Sequence, residues 1–577
     1  MAPGTINAAT RRDALARMAT ETHDVLVIGG GVVGVGAALD AASRGLSVAL
    51  VEARDLAAGT SSRSSKLIHG GLRYLEMLDF RLVREALTER GLLLERLAPH
   101  LVRPVSFLYP LTHRVWERPY VGSGMILYDT LGLGSGWARG LPRHRHLSRR
   151  GARRLFPALR REALIGAVEY WDAQVDDARH TLAVGRTAVA LGARVATRAQ
   201  VTDLIREGER IVGARVRDLE AGVDLEVRAR RVINATGVWT DGTQALAGGG
   251  ARIHVRASKG VHLVIPKDRI DGQTGLILRT EKSVLFVIPW GRHWIIGTTD
   301  TEWNLDLAHP AASRADIDYL LQHVNQVLVH PITADDVEGV YAGLRPLLAG
   351  ESDATSKLSR EHSVSSPVPG LIVVAGGKYT TYRVMARDTI DAAVADFGRA
   401  VPPSCTESIP LWGAEGWPAL RNSAPRLAAS SGLTPESIEH LLGRYGSSIT
   451  DVLDIIAERP ELAGHLPGTE DYLGAEVIHA ARFEGAMHLP DVLIRRTRMS
   501  IECRDRGEAA AGPVARLLAR ELGWTDEQVD HEVTYYLTRL QAERQSQQQV
   551  DDATADATRL GAPDLVPTVA LASSLRP

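Results

Sequence analysis

The segment Val25-Leu26-Val27-Ile28-Gly29-Gly30-Gly31-Val32-Val33-Gly34 constrains this chain more than any other. An apolar run ending in G-x-G-x-x-G and passing into Ala37-Ala38-Leu39 reads as a buried strand, a tight turn and a helix. That helix stops near Gly45, and Ser47-Val48-Ala49-Leu50-Val51 forms a second strand ending at Glu52. In such a unit the glycines permit the turn, let the backbone approach a pyrophosphate and bring helix and strand close. The unpaired N–H groups of the first helical turn then face the phosphates. Gly29, Gly31 and Gly34 are therefore candidate cofactor-binding residues. Glu52 is placed to accept hydrogen bonds from both ribose hydroxyls of an adenosine.

Two later segments decide which dinucleotide fits. Val232-Ile233-Asn234-Ala235-Thr236-Gly237 is a strand ending in Ala-Thr-Gly, and Val373-Val374-Ala375-Gly376-Gly377-Lys378-Tyr379-Thr380 is again strand, glycines and helix start. Three separated segments converging on one extended cofactor fit FAD better than NAD, and a helix start aimed at a flavin stabilises its reduced, anionic ring. The fold class expected is α/β: a two-dinucleotide-binding flavoprotein fold with a β-rich substrate domain and an all-α C-terminal domain.

Composition bounds the rest. The chain has 577 residues, enough for several domains, and a net charge of −2, which marks no nucleic-acid partner. Two cysteines, Cys405 and Cys503, exclude a disulfide scaffold and a cysteine-based zinc site, and no metal is expected. No apolar run is long enough to span a bilayer. Only six of the 67 basic residues are lysine, so each lysine invites a chemical explanation. Residues 139–161 hold nine arginines and no acidic residue. Clustered cations of this kind attract anionic headgroups at about 1 kcal/mol each near the surface.

Residues 1–22, polar and alanine-rich, read as a flexible N-terminal arm or a short helix. Cofactor- and substrate-binding segments interleave over 23–400. The cofactor parts lie at about 23–110, 170–250 and 340–400, and the substrate parts at about 111–169 and 251–339. Residues 401–540 show helical spacing, and 541–577, rich in Gln and then Ala, Asp and Thr, read as a disordered tail.

Between the first two cofactor segments lies Thr60-Ser61-Ser62-Arg63-Ser64-Ser65-Lys66-Leu67-Ile68-His69-Gly70-Gly71-Leu72-Arg73-Tyr74-Leu75. With the glycine fingerprint, Trp171 to Arg179, Val287-Ile288-Pro289-Trp290, Ile295 to Asp300, Gly343-Leu344-Arg345-Pro346 and Gly376-Gly377-Lys378, this run resembles the FAD-dependent, respiratory glycerol-3-phosphate dehydrogenases. The similarity covers about 22–390. It continues more loosely through Arg482 to Ala486 and Asp491 to Arg498.

The resemblance implies oxidation of sn-glycerol 3-phosphate to dihydroxyacetone phosphate by hydride transfer to FAD, with electrons passed to a membrane quinone. It implies His69, Lys378 and Arg345 as catalytic residues. Arg73, Arg345, Tyr74, Lys259, His262 and Thr298 would meet the substrate. Beyond the glycines and Glu52, the cofactor would be held by Thr60, Ser61, Ser62, Ser65, Lys66, Leu67, His69, Val201, Ala235, Gly237, Gly377, Lys378 and Thr380. The chemistry agrees: a phosphate dianion suits paired guanidinium groups, and a secondary hydroxyl needs a base such as imidazole within reach. The expected setting is cytoplasmic and peripheral, on the inner face of the membrane, held by the arginine cluster with Leu131, Leu133 and Trp137. A homodimer is a further expected partner state. An oxidase returning electrons to oxygen, an amine oxidase of the same broad fold and a non-enzymatic FAD-fold module are the alternatives.

Overall fold

Helix α1 (Ala8–Thr20), strand β1 (Thr22–Ile28), helix α2 (Val32–Ser43) and strand β2 (Val48–Val51) open the chain in the computed structural model, which describes residues 3–71, 79–133, 141–248, 253–281, 284–349 and 361–569. β1 lies between two parallel neighbours, β2 on one side and Val223–Asn234 on the other, with Val25 opposite Val48 and Ile28 opposite Asn234. Strands covered on both faces must be apolar throughout, which is why the fingerprint strand shows no alternation. The sheet runs His362–Ser365, Leu371–Gly376, Val223–Asn234, β1, β2, Arg194–Ala196. One face packs on α2 and the helices Asp177–Ala190 and Tyr382–Val394. The other is covered by the antiparallel strands Ala199–Glu207 and Arg210–Asp218 and by α1.

The N-terminal arm is thus a docked helix rather than a flexible segment. Asn7 caps α1 by accepting from the N–H groups of Ala9 and Thr10. Arg11, Ala14, Leu15 and Met18 are buried on one stripe, with Arg11 paired to Asp218 and donating to the Thr197 carbonyl at 2.7 Å. The spacing 11, 14, 15, 18 is a helical face; its buried arginine hid the pattern.

A second, mostly antiparallel sheet carries Val255–Pro266 one strand in from its edge, flanked by His293–Gly297 and Gly339–Leu348. Leu67–Ile68, Arg103–Leu111, Gly166–Gln174 and Gly339–Leu348 also belong to it. These strands had been divided between cofactor and substrate segments, because apolar alternation reports burial and not which sheet a strand joins.

From Pro435 to Leu560 the chain is helical. This layer is joined to the first sheet's helices by buried ion pairs. Asp55 meets Arg495 and Arg496, Arg498 meets Asp176 and Asp177, and Glu484 meets Arg179 at 2.6 Å. The described part of the tail, through residue 569, is structured as well: the helix Asp526–Ser546 runs past residue 541, and Asp552–Leu560 follows it, capped by Asp551. Asp552 pairs with buried Lys259 at 2.5 Å, so polar composition here reflects a docked surface helix. No helix among the described residues is long and apolar enough to cross a membrane.

Candidate active site

Both sheets contribute walls to one cavity of about 810 Å³. Its first arm is the fingerprint. Gly29 adopts φ +113°, and a Cβ on Gly34 would lie 1.9 Å from the Gly29 carbonyl oxygen, so neither position admits a side chain without moving the turn. Gly31 caps α2 with no side chain, leaving the helix start open to the cavity, and Ser61 Oγ accepts the Val32 N–H at 2.9 Å. Glu52 accepts from the N–H groups of Gly30 (2.6 Å) and Arg54 (2.7 Å), and burial pushes its pKa up. Thr60, Ser65, Leu67, Val201, Ala235 and Gly237 also line the cavity, with Thr60 Oγ1 donating to the Leu344 carbonyl at 2.6 Å.

Gly377, Lys378 and His69 line the same cavity as His262 and Arg345 of the second sheet. Arg345 donates to Thr298 Oγ1 (3.0 Å), the Thr299 carbonyl (3.2 Å) and Ser258 Oγ (3.3 Å), with Asp300 at 3.5 Å. Gly260 makes room for it: a Cβ there would lie 2.5 Å from both the Arg345 guanidinium and Thr298 Oγ1. His262 Nε2 is 2.8 Å from Ser65 Oγ, and its ring stacks on Tyr341 with centroids 4.7 Å apart. Burial, with Arg345 and Lys66 nearby, holds His262 well below the ordinary imidazole pKa, so it is neutral.

Several expected site residues stand elsewhere. Lys66 is fully buried behind the cavity, donating to Asp177 (2.8 Å) and the Ser62 carbonyl (3.3 Å). Lys259 is likewise buried, paired with Asp316 (2.6 Å) and Asp552. Two ammonium groups without water need carboxylates, and these carboxylates lie away from the cleft. Ser62 is buried in the turn and does not line the cavity. Thr380 is also behind the wall; its hydroxyl accepts the His69 N–H at 3.1 Å and so fixes the backbone of His69. Arg73, Tyr74 and Trp137 lie outside the described residues, as does the side chain of Leu133. Leu131 packs on the core, and Arg149, Arg153 and Arg160 donate to the carbonyls of Leu164, Leu159 and Leu328, so part of the arginine cluster is structural.

Other lining residues were not anticipated. Arg54 stacks over Trp239 at 5.6 Å, and Gln200 and Tyr379 join the wall. Arg63 faces the cavity, donates to the Ala308 carbonyl at 3.3 Å and has no carboxylate within salt-bridge distance among the described residues. Burial and the neighbouring charges of Arg559, Arg495 and Arg54 bring its pKa down to about 10. The only signal for it in the sequence is its place inside the hydroxyl-rich run.

FAD fits these residues. An acceptor at the end of β2, a helix start whose Gly31 cap carries no side chain, glycine clearance at the turn and the Arg63 guanidinium suit an adenosine diphosphate. The second arm, through Gly376 to Tyr379, extends the cleft far enough for a further ring system.

Comparison with known proteins agrees. Residues 24–391 match the FAD dependent oxidoreductase family, and 404–529 match the C-terminal domain of alpha-glycerophosphate oxidase. The chain is 59% identical over 554 residues to a glycerol-3-phosphate dehydrogenase of Mycobacterium leprae, covering 96% of this chain and 94% of that one. It is 38% identical over 530 residues to the human mitochondrial glycerol-3-phosphate dehydrogenase, covering 88% and 71%. The FAD complex of the Bacillus halodurans glycerol-3-phosphate dehydrogenase is similar with a TM-score of 0.76 at 29% identity, over 93% of this chain and 98% of that one. Fingerprint, paired sheets, helical layer and sequence identity together place this chain in the family of FAD-dependent glycerol-3-phosphate dehydrogenases.

Proposed function

We propose that the protein oxidises sn-glycerol 3-phosphate to dihydroxyacetone phosphate and hands the electrons to a membrane quinone. The observation that carries this reading is Arg345, a guanidinium held by Thr298, Thr299 and Ser258 at the floor of the cofactor cleft, beside a neutral histidine. Bound FAD supplies the two-electron acceptor for the alcohol. Arg345 grips the phosphate with its planar fork, joined by Arg73. His69 takes the proton from the secondary hydroxyl, and His262, fixed by Ser65 and Tyr341, orients that hydroxyl. Lys378 places positive charge where negative charge accumulates on reduction.

Quinone lives in the bilayer, so the protein must reach it. Val115, Trp116, Tyr120 and Ile126 are exposed at and along the helix Glu117–Leu133, and Arg143, Arg145, Arg150 and Arg154 are exposed in the segment that follows it in the chain. Apolar anchors with a basic rim suit an anionic leaflet.

Anaerobic titration of the purified holoenzyme with sn-glycerol 3-phosphate should bleach the flavin band at about 450 nm, while glycerol should leave it unchanged. Mixing the reduced enzyme separately with quinone and with oxygen then identifies the acceptor. Faster reoxidation by oxygen, with peroxide formed, would replace the quinone reading with the oxidase. Flotation with anionic vesicles at low and high salt tests the surface.

A further inference from the structure

The last described residues of the chain reach the cleft at Gln200. The Val569 N–H donates to Gln200 Oε1 at 2.8 Å, and Gln200 Nε2 donates back to the Val569 carbonyl at 2.8 Å. Thr568 and Val569 line the cavity there with Arg54, Ala199, Val201 and Trp239. This is the adenosine end, because Glu52, the ribose acceptor of the fingerprint, immediately precedes it at the end of β2. Val569 is 41% exposed, an apolar surface at the rim of the cleft and suited to cover a purine.

The segment is anchored on both sides of the cleft. Asp564 lies 2.6 Å from His309 Nε2 and 3.8 Å from Arg54, so it ties the second sheet's loops to the first sheet. The Ala562 carbonyl accepts from buried Arg539. Upstream, Asp552 is held by Lys259 and by Ser313 Oγ at 3.0 Å, and the Arg314 N–H donates to the Gln549 carbonyl at 2.8 Å. Lys259 therefore fastens the tail, which accounts for a buried lysine that the substrate does not need.

We propose that residues 562–569 are part of the cofactor site: a strap that closes over the adenosine half of FAD and sets how long the cofactor stays bound. The inference rests on FAD as the occupant of the cleft. Leaving the cleft at this end requires the Gln200–Val569 clasp to open.

The test compares FAD release from four holoenzymes: the full chain, Val569→Pro, Asp564→Ala and a chain ending at Gly561. Free-flavin fluorescence is followed after dilution. Proline removes the N–H that Gln200 accepts and leaves the rest of the strap in place. Release should be about tenfold faster for the shortened chain and intermediate for the two point variants. Affinity for FMN, which lacks adenosine, should be the same in all four. Equal FAD release in all four overturns the strap, and so does a parallel loss of FMN affinity, which signals general damage. A full-length chain that never holds FAD overturns the cofactor reading and the strap together.

Discussion

Arg345 shows how one side chain is made useful by its neighbours. Its guanidinium is steered by the three hydrogen bonds it donates to Ser258, Thr298 and Thr299, and Gly260 leaves the space it occupies. Replacing it with lysine keeps the charge but loses the fork, so kcat/KM for sn-glycerol 3-phosphate should fall roughly 100-fold while the flavin content stays unchanged. A steady-state assay beside an absorbance ratio checks both. His488 makes a different point. It sits between Glu220 (2.9 Å) and Glu532 (2.7 Å), and these contacts push its pKa up to about 9 against the cost of burial. A raised folded-state pKa means that its stabilisation is complete below the ordinary imidazole value of 6.5 and fades as pH rises through about 9. The difference in Tm between the native protein and His488→Gln should therefore be largest near pH 6 and narrow toward pH 9.5; a constant difference would refute the ion pairing.

At the scale of the element, the turn between β1 and α2 has no slack. Gly34→Ala places a methyl group inside the Gly29 carbonyl's contact distance, so the turn must open and the helix start must swing from the cofactor. The purified variant should be largely free of flavin and should regain little when FAD is added. This turn was legible in the sequence because its chemistry is local: strand, glycines, helix and terminal acid lie within thirty residues. The lysines were not. Lys66 and Lys259 sit in motifs beside the site, yet their side chains turn to Asp177 and to Asp316 with Asp552, partners 50 to 300 positions away. Spacing along a chain cannot report which way a backbone at φ +57°, as at Lys66, aims its side chain. Arg63 escaped notice for a related reason: nothing in the run signals that its side chain lines the cleft, where no carboxylate among the described residues lies within salt-bridge distance of it.

Across the whole molecule, the FAD-binding fold and the all-helical C-terminal part were readable from motifs and hydrophobic period, but the assignment of strands to the two sheets was not. The contacts that join them were not. The helical layer meets the cofactor layer through Asp55, Asp176, Asp177 and Glu484, each buried against arginine. Buried carboxylates stripped of their partners are strongly destabilising, by about 3–5 kcal/mol for a broken pair. A chain ending at residue 403 should consequently fail to accumulate in soluble form, as expression and fractionation would show. Arg498→Ala in the full chain should lower Tm by several degrees. The N-terminal helix and the described part of the tail are fastened by Arg11 and by Asp552. Each contains a charged residue whose partner lies more than 200 positions away, beyond what a local window can register.

Arg498 has one more consequence. Its guanidinium donates to the Ser62 carbonyl and to Asp177, and Asp177 in turn holds Ser64 and Lys66. Ser65, the residue that reaches His262, is thereby suspended between two points nailed down from the rear of the protein. A kinetic screen would score damage at position 498 as damage to the catalytic machinery, although no reactant comes near it.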